Sequence, residues 1–193
     1  MIETTIKTEP LRILDYDVET VAAGFADPNW VPQRITAIAW SWVGEDHVEC
    51  VTRLEGAEHM LDSFLEAYDA ADMVTGHNLI RFDQPIVSAE CLRLGLEPLG
   101  AKMVQDTMRL VKAKGFKKGQ DNLATLVGVP YRKLSLDWQD WEDAYEWDRL
   151  IAGDRVAWKV VRDRVTSDVL QHKLMRIELI MRGWLKPPIL WRP

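Results

Sequence analysis

Residues 12–20 read Arg-Ile-Leu-Asp-Tyr-Asp-Val-Glu-Thr, and this stretch decides the fold that the rest of the chain can adopt. Its branched and aromatic residues are typical of a β-strand, and its acids, Asp15, Asp17 and Glu19, recur with a period of two. Side chains alternate across a strand, so the three carboxylates share one face and the apolar side chains share the other. Ionising one acid raises the cost of ionising its neighbour. The pattern therefore predicts either a cation-binding face or an acidic edge strand exposed to water.

The bulk composition indicates one globular domain. The chain has 193 residues, of which 47% are hydrophobic and 28% charged, and this is enough to fill a single core. We expect one domain over residues 1–193, with its core at about 11–181 and an extended C-terminal tail at 183–193. The sequence has no apolar run of about 18 residues and no signal peptide. It therefore predicts a cytoplasmic protein without membrane contact, and Cys50 and Cys91 are expected to be reduced and buried.

Charge is distributed unevenly along the chain. The formal net charge of −6 does not favour a protein that coats duplex nucleic acid. Residues 102–133, however, carry eight Lys or Arg and two Asp, a net +6 that leaves −12 for the remainder. This basic segment is typical of a protein that contacts a polyanion at one place, and it is also compatible with a solvated lysine-rich loop.

Hydrophobic periodicity and turn residues predict an α/β fold. Three successive strands suggest an antiparallel meander, and a helix, a strand, a helix and a fifth strand follow before helices close the chain. This order predicts a mixed five-stranded sheet with helices on both faces. The tryptophans within residues 134–158 are expected to pack in the core. The predicted strands are residues 12–20, 34–43, 47–54, 73–75 and 102–110 (ending near Asp106, expected to cap a turn), and the predicted helices are 58–71, 83–94, 120–127 and 156–181.

Two further acids, Asp83 and Asp168, stand on predicted helices. Asp83 opens a helix after a strand and a loop, so it is expected either to cap that helix or to serve a site. Asp168 lies mid-helix, where Asp has poor propensity, between Val165 and Val169 on the side expected to face the sheet; exposure to water is the alternative. The four histidines have no metal-ligand spacing, so any bound metal is expected to have oxygen ligands rather than to be zinc.

Together these motifs resemble the DEDD (DnaQ-like) superfamily of 3′–5′ exonucleases. Asp-Val-Glu-Thr at 17–20 looks like its first motif, an Asp-x-Glu on the first strand. Gly-His-Asn-Leu-Ile-Arg-Phe-Asp at 76–83 matches the second, which ends in a metal-binding Asp after Asn-x-x-x-Phe. Gly153-Asp154 followed by residues 165–169 resembles the third, whose Asp lies on the final helix, and residues 118–129 resemble a helix that many members carry before it. The resemblance covers residues 11–180 and implies a ribonuclease-H-like fold.

The resemblance implies that Asp17, Glu19, Asp83 and Asp168 are catalytic and hold two divalent metal ions, Mg²⁺ or Mn²⁺. By this analogy Asp17 bridges both ions, Glu19 and Asp168 complete the first site, and Asp83 holds the second ion through water. Two such ions would lower the pKa of a water molecule and stabilise the leaving oxygen of a phosphodiester. Mg²⁺ prefers hard oxygen ligands, which this set supplies.

Candidate substrate contacts accompany the acids. By resemblance, Thr20 is expected to offer its backbone amide or hydroxyl to the terminal 3′-hydroxyl. Asn78 is expected to contact the substrate backbone or to brace its own loop. Lys117 and Lys118, with other lysines of the basic segment, are expected to guide nucleic acid, since phosphate neutralisation supplies sequence-independent affinity.

One position departs from the family pattern. Family members place a Tyr four residues, or a His five residues, before the last Asp to position or deprotonate the attacking water, whereas Arg164 and Asp163 stand there in this chain. Arg is always protonated in proteins, so Arg164 cannot be a general base. It is expected to contact the scissile phosphate or to form an ion pair on its helix. His172, one turn beyond Asp168, is predicted at the surface, and Asp15 is predicted to have a structural role.

The sequence therefore predicts a metal-dependent 3′–5′ exonuclease that removes nucleotides from single-stranded or frayed 3′ ends, with DNA favoured over RNA as its partner. Two alternatives stay open. One is a catalytically impaired module of the same fold that binds nucleic acid or a protein partner. The other is a structure-specific endonuclease with the same two-metal chemistry.

Overall fold

The computed structural model describes residues 10–21, 34–112, 114–137, 149–150 and 152–193. Within these ranges, six strands form one mixed sheet in the order β3-β2-β1-β4-β5-β6. The strands are β1 (Ile13–Val21), β2 (Arg34–Trp42), β3 (Glu49–Thr52), β4 (Met73–Gly76), β5 (Lys102–Asp106) and β6 (Ile189–Trp191). The helices are α1 (Ala57–Ala70), α2 (Asp83–Leu94), α3 (Thr107–Leu110), α4 (Gln120–Leu126) and α5 (Arg155–Met181), with a 3₁₀ turn at Arg53–Glu55.

β1 lies inside the sheet, antiparallel to β2 and parallel to β4. The edge-strand alternative for the acidic stretch is therefore wrong. Glu19 opposes Ala37 but Thr20 opposes Ile35, so β2 contributes one extra residue beside the acids. An irregularity of this kind bends a strand and changes where its side chains point.

β4 ends before β1 does, and this leaves room for an acid from another element. The last parallel pair joins Asp15 to Thr75. Further along β1, the amide of Val18 donates to Oδ1 of Asp83, 3.1 Å away, instead of to a strand. Because a buried amide without a partner is costly, this hydrogen bond holds the start of α2 against β1.

The two faces of the sheet are covered by different helices, as the sequence predicts. The apolar residues of β1 form one core with α1 and α2. On the acidic side, the small residues Ala37 and Ala39 of β2 pack with α5, and Trp158 is buried there. Trp158 is thus a core residue as predicted, whereas the other tryptophans of that stretch, Trp138, Trp141 and Trp147, lie outside the described residues.

The sheet has one strand more than the sequence predicts. β6 lies within the predicted tail and pairs antiparallel with β5. It has only three residues and follows two prolines, so it shows no alternating pattern of its own. β5 ends at Asp106, as predicted, because the side chain of Asp106 accepts hydrogen bonds from the amides of Met108 and Arg109 and caps α3.

The two cysteines are free; Cys91 is buried as predicted, whereas Cys50 is only half-buried, so the prediction that it is buried is wrong. None of the helices in the described ranges is both long and apolar enough to cross a lipid bilayer.

Gly76, the last residue of β4, permits the close approach of β1 to the loop that carries the second motif. A Cβ atom at this position would lie 2.6 Å from the carbonyl oxygen of Tyr16 and 2.6 Å from Cδ2 of Leu79. The backbone oxygen cannot move aside as a flexible side chain can. A hydrogen at this position is therefore required for the packing.

Substitution Gly76→Ala is expected to lower the free energy of unfolding by about 2 kcal/mol or more, since an added methyl group in a filled space forces strand β1 and the loop apart. Urea denaturation measures the change. Gly100→Ala is the matched control, because nothing lies within 4 Å of a Cβ atom there. Equal stability of the two variants would contradict this account of Gly76.

Candidate metal centre

Three carboxylates converge on the side of β1 that α5 covers. Asp17 and Glu19 share a face of β1, and Asp168 projects from α5. One carboxylate oxygen from each residue lies within 4.8 Å of the other two. Asp168 is 6% exposed, and the other two are half-buried. Acids from the first and third motifs are thus brought together, and we call these three residues the carboxylate triad.

Asp83 lies beside the triad. It is the first residue of α2, whose N-cap is Phe82, so the prediction that Asp83 caps the helix is wrong. Its carboxylate accepts the amide of Val18, the residue between Asp17 and Glu19. Burial raises the pKa of Asp83 to about 8 against the opposing hydrogen bond from Val18, and the charges of Asp106 and Glu19 add to the rise.

The pKa values of Asp17 and Asp168 are raised in the same direction. Burial raises the pKa of Asp17 well above its usual value, and the charges of Asp83, Asp168 and Glu19 raise it further. Burial also raises the pKa of Asp168, against the opposing charges of Lys133 and Arg164. The common cause is negative charge gathered where water reaches it poorly, an arrangement that favours either bound protons or a bound cation.

Two cationic side chains contact the triad. Nε of Arg164 lies 3.3 Å from Oδ2 of Asp168 and 3.6 Å from Oε1 of Glu19. Nζ of Lys133 lies 3.3 Å from Oδ1 of Asp168. Of the two roles predicted for Arg164, the structure shows the ion pair on its helix. Asp163, at the other departing position, pairs with Lys159 and is not part of the triad.

Asp15 belongs to a separate buried network. Nδ1 of His172 donates to its carboxylate at 2.7 Å, and Nε2 of His172 lies 3.0 Å from Oγ1 of Thr107. The same hydroxyl lies 2.9 Å from Nδ1 of His77. His172 is 2% exposed, so the prediction of a surface histidine is wrong, because α5 presents it to the sheet as the partner of Asp15. The structural role predicted for Asp15 agrees with this pairing.

Asp106 fixes the loop that leads to Asp83. Besides capping α3, its carboxylate accepts the backbone amides of Asn78 and Ile80, each at 3.1 Å. Asn78 has φ of 71°, a left-handed conformation that Asn tolerates better than most residues. Of the two roles predicted for Asn78, these backbone contacts correspond to bracing, although its side chain also faces the pocket described next.

A basic pocket of about 270 Å³ opens next to this loop. It is lined by Asn78, Arg81, Met108, Arg109 and Lys118. None of its three cations forms an ion pair with any residue of the described ranges, and no acid lines the pocket. Three unpaired positive charges around one concave surface favour an anion such as a phosphate group.

The remaining residues predicted to contact substrate differ in their exposure to water. Lys117 is exposed beside Lys118, and Thr20 is buried next to Glu19 at the irregularity of β1 and β2. Sequence reasoning did not assign Arg81, Arg109 or Lys133 to the site. Their positive charge could have indicated them, because Arg109 and Lys133 belong to the basic segment and Arg81 belongs to the second motif. The spacing of residues in the sequence does not show which cation faces which acid.

The donor chemistry of the acidic group fits a divalent cation. All candidate ligands are carboxylate oxygens, which hard ions such as Mg²⁺ and Mn²⁺ prefer. The mutual distances within the triad allow its three residues to bind one ion together. Burial, and after it the charges of neighbouring acids, raises the pKa of both Asp17 and Asp83, so a bound cation would favour their ionised forms.

Comparison with solved structures identifies a similar fold. The chain resembles the family B DNA polymerase from the hyperthermophilic archaeon Pyrobaculum calidifontis with a TM-score of 0.63 and 19% sequence identity over 89% of this chain. The match covers 25% of the polymerase, so this chain spans about a quarter of its length. No family model and no curated protein matches the sequence. At this identity the likeness establishes the fold alone, and it confirms the predicted mixed α/β class of ribonuclease-H-like type.

The raised pKa of Asp83 predicts that the chelator-treated protein loses stability as the pH rises. The folded protein retains a proton up to about pH 8 that the unfolded chain releases near pH 4, so folding becomes less favourable between these values. The free energy of unfolding in urea, measured at pH 5.5 and pH 8, is expected to fall by about 1 kcal/mol or more from this group.

Asp83→Asn is the control, since an amide oxygen still accepts the Val18 amide but carries no titratable proton. The variant should lose less stability than the wild type over the same pH interval. Parallel pH profiles for the two proteins would contradict the assignment.

Proposed function

We propose that the chain is a divalent-metal-dependent 3′–5′ exonuclease of the DEDD type, acting on single-stranded or frayed 3′ ends, with DNA as the favoured substrate. The observation that carries this proposal is the convergence of Asp17, Glu19 and Asp168 within 4.8 Å, beside Asp83. The fold shared with a DNA polymerase supports a nucleic-acid substrate. The oxygen-only ligand set supports Mg²⁺ or Mn²⁺.

The four acids have complementary tasks in this proposal. Asp17, Glu19 and Asp168 would hold one divalent ion, and Asp17 and Asp83 would contribute to holding a second. Divalent ions at such a site lower the pKa of the attacking water and stabilise the leaving oxygen. No Tyr or His stands where the family places one, and Arg164 at that position stays protonated and accepts no proton. The hydrogen bond from Val18 keeps Asp83 in position to bind a cation.

The basic pocket supplies the substrate contact in this proposal. A nucleic-acid backbone presents one phosphate per nucleotide, and Arg81, Arg109 and Lys118 can neutralise phosphates without reading a base. Asp106 holds this pocket and the loop of Asp83 in one rigid unit, because it binds amides from both. Substrate phosphates held in the pocket are therefore kept at a fixed position relative to the acids.

The activity is tested with a 5′-labelled single-stranded oligonucleotide and Mg²⁺ or Mn²⁺. The wild type is expected to give a ladder of products shortened from the 3′ end, and Asp17→Asn to lower the rate on the order of 10³-fold, since this residue contributes to both ions. Asp163→Asn, which changes a half-buried acid outside the triad on α5, should keep wild-type activity. Cleavage at internal positions only, or full activity of Asp17→Asn, would refute the proposal.

A second candidate function is a catalytically impaired nucleic-acid-binding module on the same fold. The contacts of Arg164 and Lys133 with the triad favour it, because two cations already neutralise acids that a metal would need. Retention of the oligonucleotide without cleavage in either metal would support this candidate over the exonuclease.

The basic pocket is tested in an Asp17→Asn background, which keeps the oligonucleotide intact. Replacing Arg81, Arg109 and Lys118 by Gln is expected to weaken binding of single-stranded DNA by about tenfold or more and to reduce the slope of log affinity against log salt by about 0.7 per lost phosphate contact. Fluorescence anisotropy at several salt concentrations measures both quantities.

The charge-matched control replaces Lys159, Arg162 and Arg182 by Gln, three cations that pair with Asp163, Glu55 and Glu178 on the surface. If this control weakens binding as much as the pocket variant does, net charge alone explains the affinity and the pocket is not the contact.

A further inference from the structure

Arg164 and Lys133 form a positively charged pair over the carboxylate triad. Their side chains are only 13% and 19% exposed, so water screens their attraction to Asp168 weakly. Together they carry two positive charges, the charge of one divalent cation. They contact Glu19 and Asp168, whereas neither Asp17 nor Asp83 forms an ion pair with a residue of the described ranges.

The contact of Arg164 with the acids is electrostatic rather than a fitted hydrogen bond. Nε of Arg164 is buried and has no hydrogen-bond partner within the described residues. A stable Arg–carboxylate pair normally uses two parallel, well-aligned N–H donors. The guanidinium group is instead anchored through Nη1, which donates to the carbonyl of Leu134. The hydrogen bond that positions Arg164 is therefore made with Leu134 and not with the triad.

Both cations belong to one structural unit. Lys133 precedes Leu134 in the segment at residues 131–134, which lies along α5. The amide of Leu134 donates to Oγ of Ser167 at 2.9 Å, and Nε2 of Gln171 donates to the carbonyl of Tyr131 at 3.3 Å. This segment places Lys133 and Arg164 next to Asp168.

We propose that Arg164 and Lys133 are built-in counter-ions that compete with a divalent cation for Glu19 and Asp168. The proposal rests on the metal centre of the proposed function and adds a control of its occupancy. A divalent cation between these carboxylates meets a guanidinium and an ammonium group of like charge, so both side chains must withdraw when the ion binds. Metal affinity is thereby lowered by the chain itself.

The test measures Mn²⁺ binding to the full chain without nucleic acid, by the electron paramagnetic resonance signal of free Mn²⁺ at pH 7.5. The double variant Arg164→Gln/Lys133→Gln is expected to bind Mn²⁺ about tenfold tighter or more than the wild type, since the competing charges are gone. Arg164→Lys, which keeps the charge, should retain weak binding. Circular dichroism checks that each variant is folded. If the double variant does not fold, the two single variants replace it, each with a smaller expected increase in Mn²⁺ affinity.

The matched control is Lys159→Gln/Arg162→Gln, which removes the same amount of charge from α5 at residues paired with Asp163 and Glu55. It should bind Mn²⁺ within about twofold of the wild type, because surface charges are screened by salt. Equal affinity of the wild type and the Arg164→Gln/Lys133→Gln variant overturns the counter-ion proposal and leaves the metal centre intact. Absence of Mn²⁺ binding in every variant overturns both.

Discussion

Crowded negative charge on one side of β1 is the constraint on which the rest of this structure depends. Asp17, Glu19 and Asp168 lie within 4.8 Å of one another, and Asp83 is held next to them by the Val18 amide. Placing four such groups together opposes folding unless protons or cations offset the repulsion. The raised pKa values of Asp17 and Asp83 show that these acids favour bound protons. Lys133 and Arg164 contact the acids as cations. The favourable energy for this arrangement comes from the apolar cores on the two faces of the sheet.

The fold maintains this crowding by fixing each acid from a different direction. β1 is paired on one side along its length with β2, so Asp17 and Glu19 cannot turn away. Asp106 binds four backbone amides and so prevents the loop before α2 from relaxing. A mobile loop would let Asp83 move into water and end the repulsion. Rigid surroundings are thus a requirement of the acidic site, as is expected of preorganised sites generally.

The features that could be predicted from the sequence depend on residues close together in the chain. Contacts between distant segments could not be predicted in this way. Strand periodicity places Asp17 and Glu19 on one face, and the spacing within residues 76–83 places Asp83 at the start of a helix. Contacts of Lys133 and Arg81 depend on where separate segments meet, and no periodicity records that. His172 was misplaced for the same reason, since an exposed and a buried histidine look alike on a helix whose buried face is broad. β6 was not predicted because a strand of three residues is too short to show an alternating hydrophobic pattern.

The position of an acid along β1 decides whether it has a structural role or is available to bind a cation. Asp15 lies where β4 still pairs with β1, under the middle of α5, and His172 satisfies it in a closed network with Thr107. Asp17 and Glu19 lie beyond the end of β4, where no histidine follows and the sheet opens toward Asp83. The alternation that brings three acids to one face thus yields one buried acid hydrogen-bonded to a histidine and two metal-ligand candidates. The difference comes from the length of a neighbouring strand, because a β4 longer by two residues would take the Val18 amide and close the space that Asp83 now occupies.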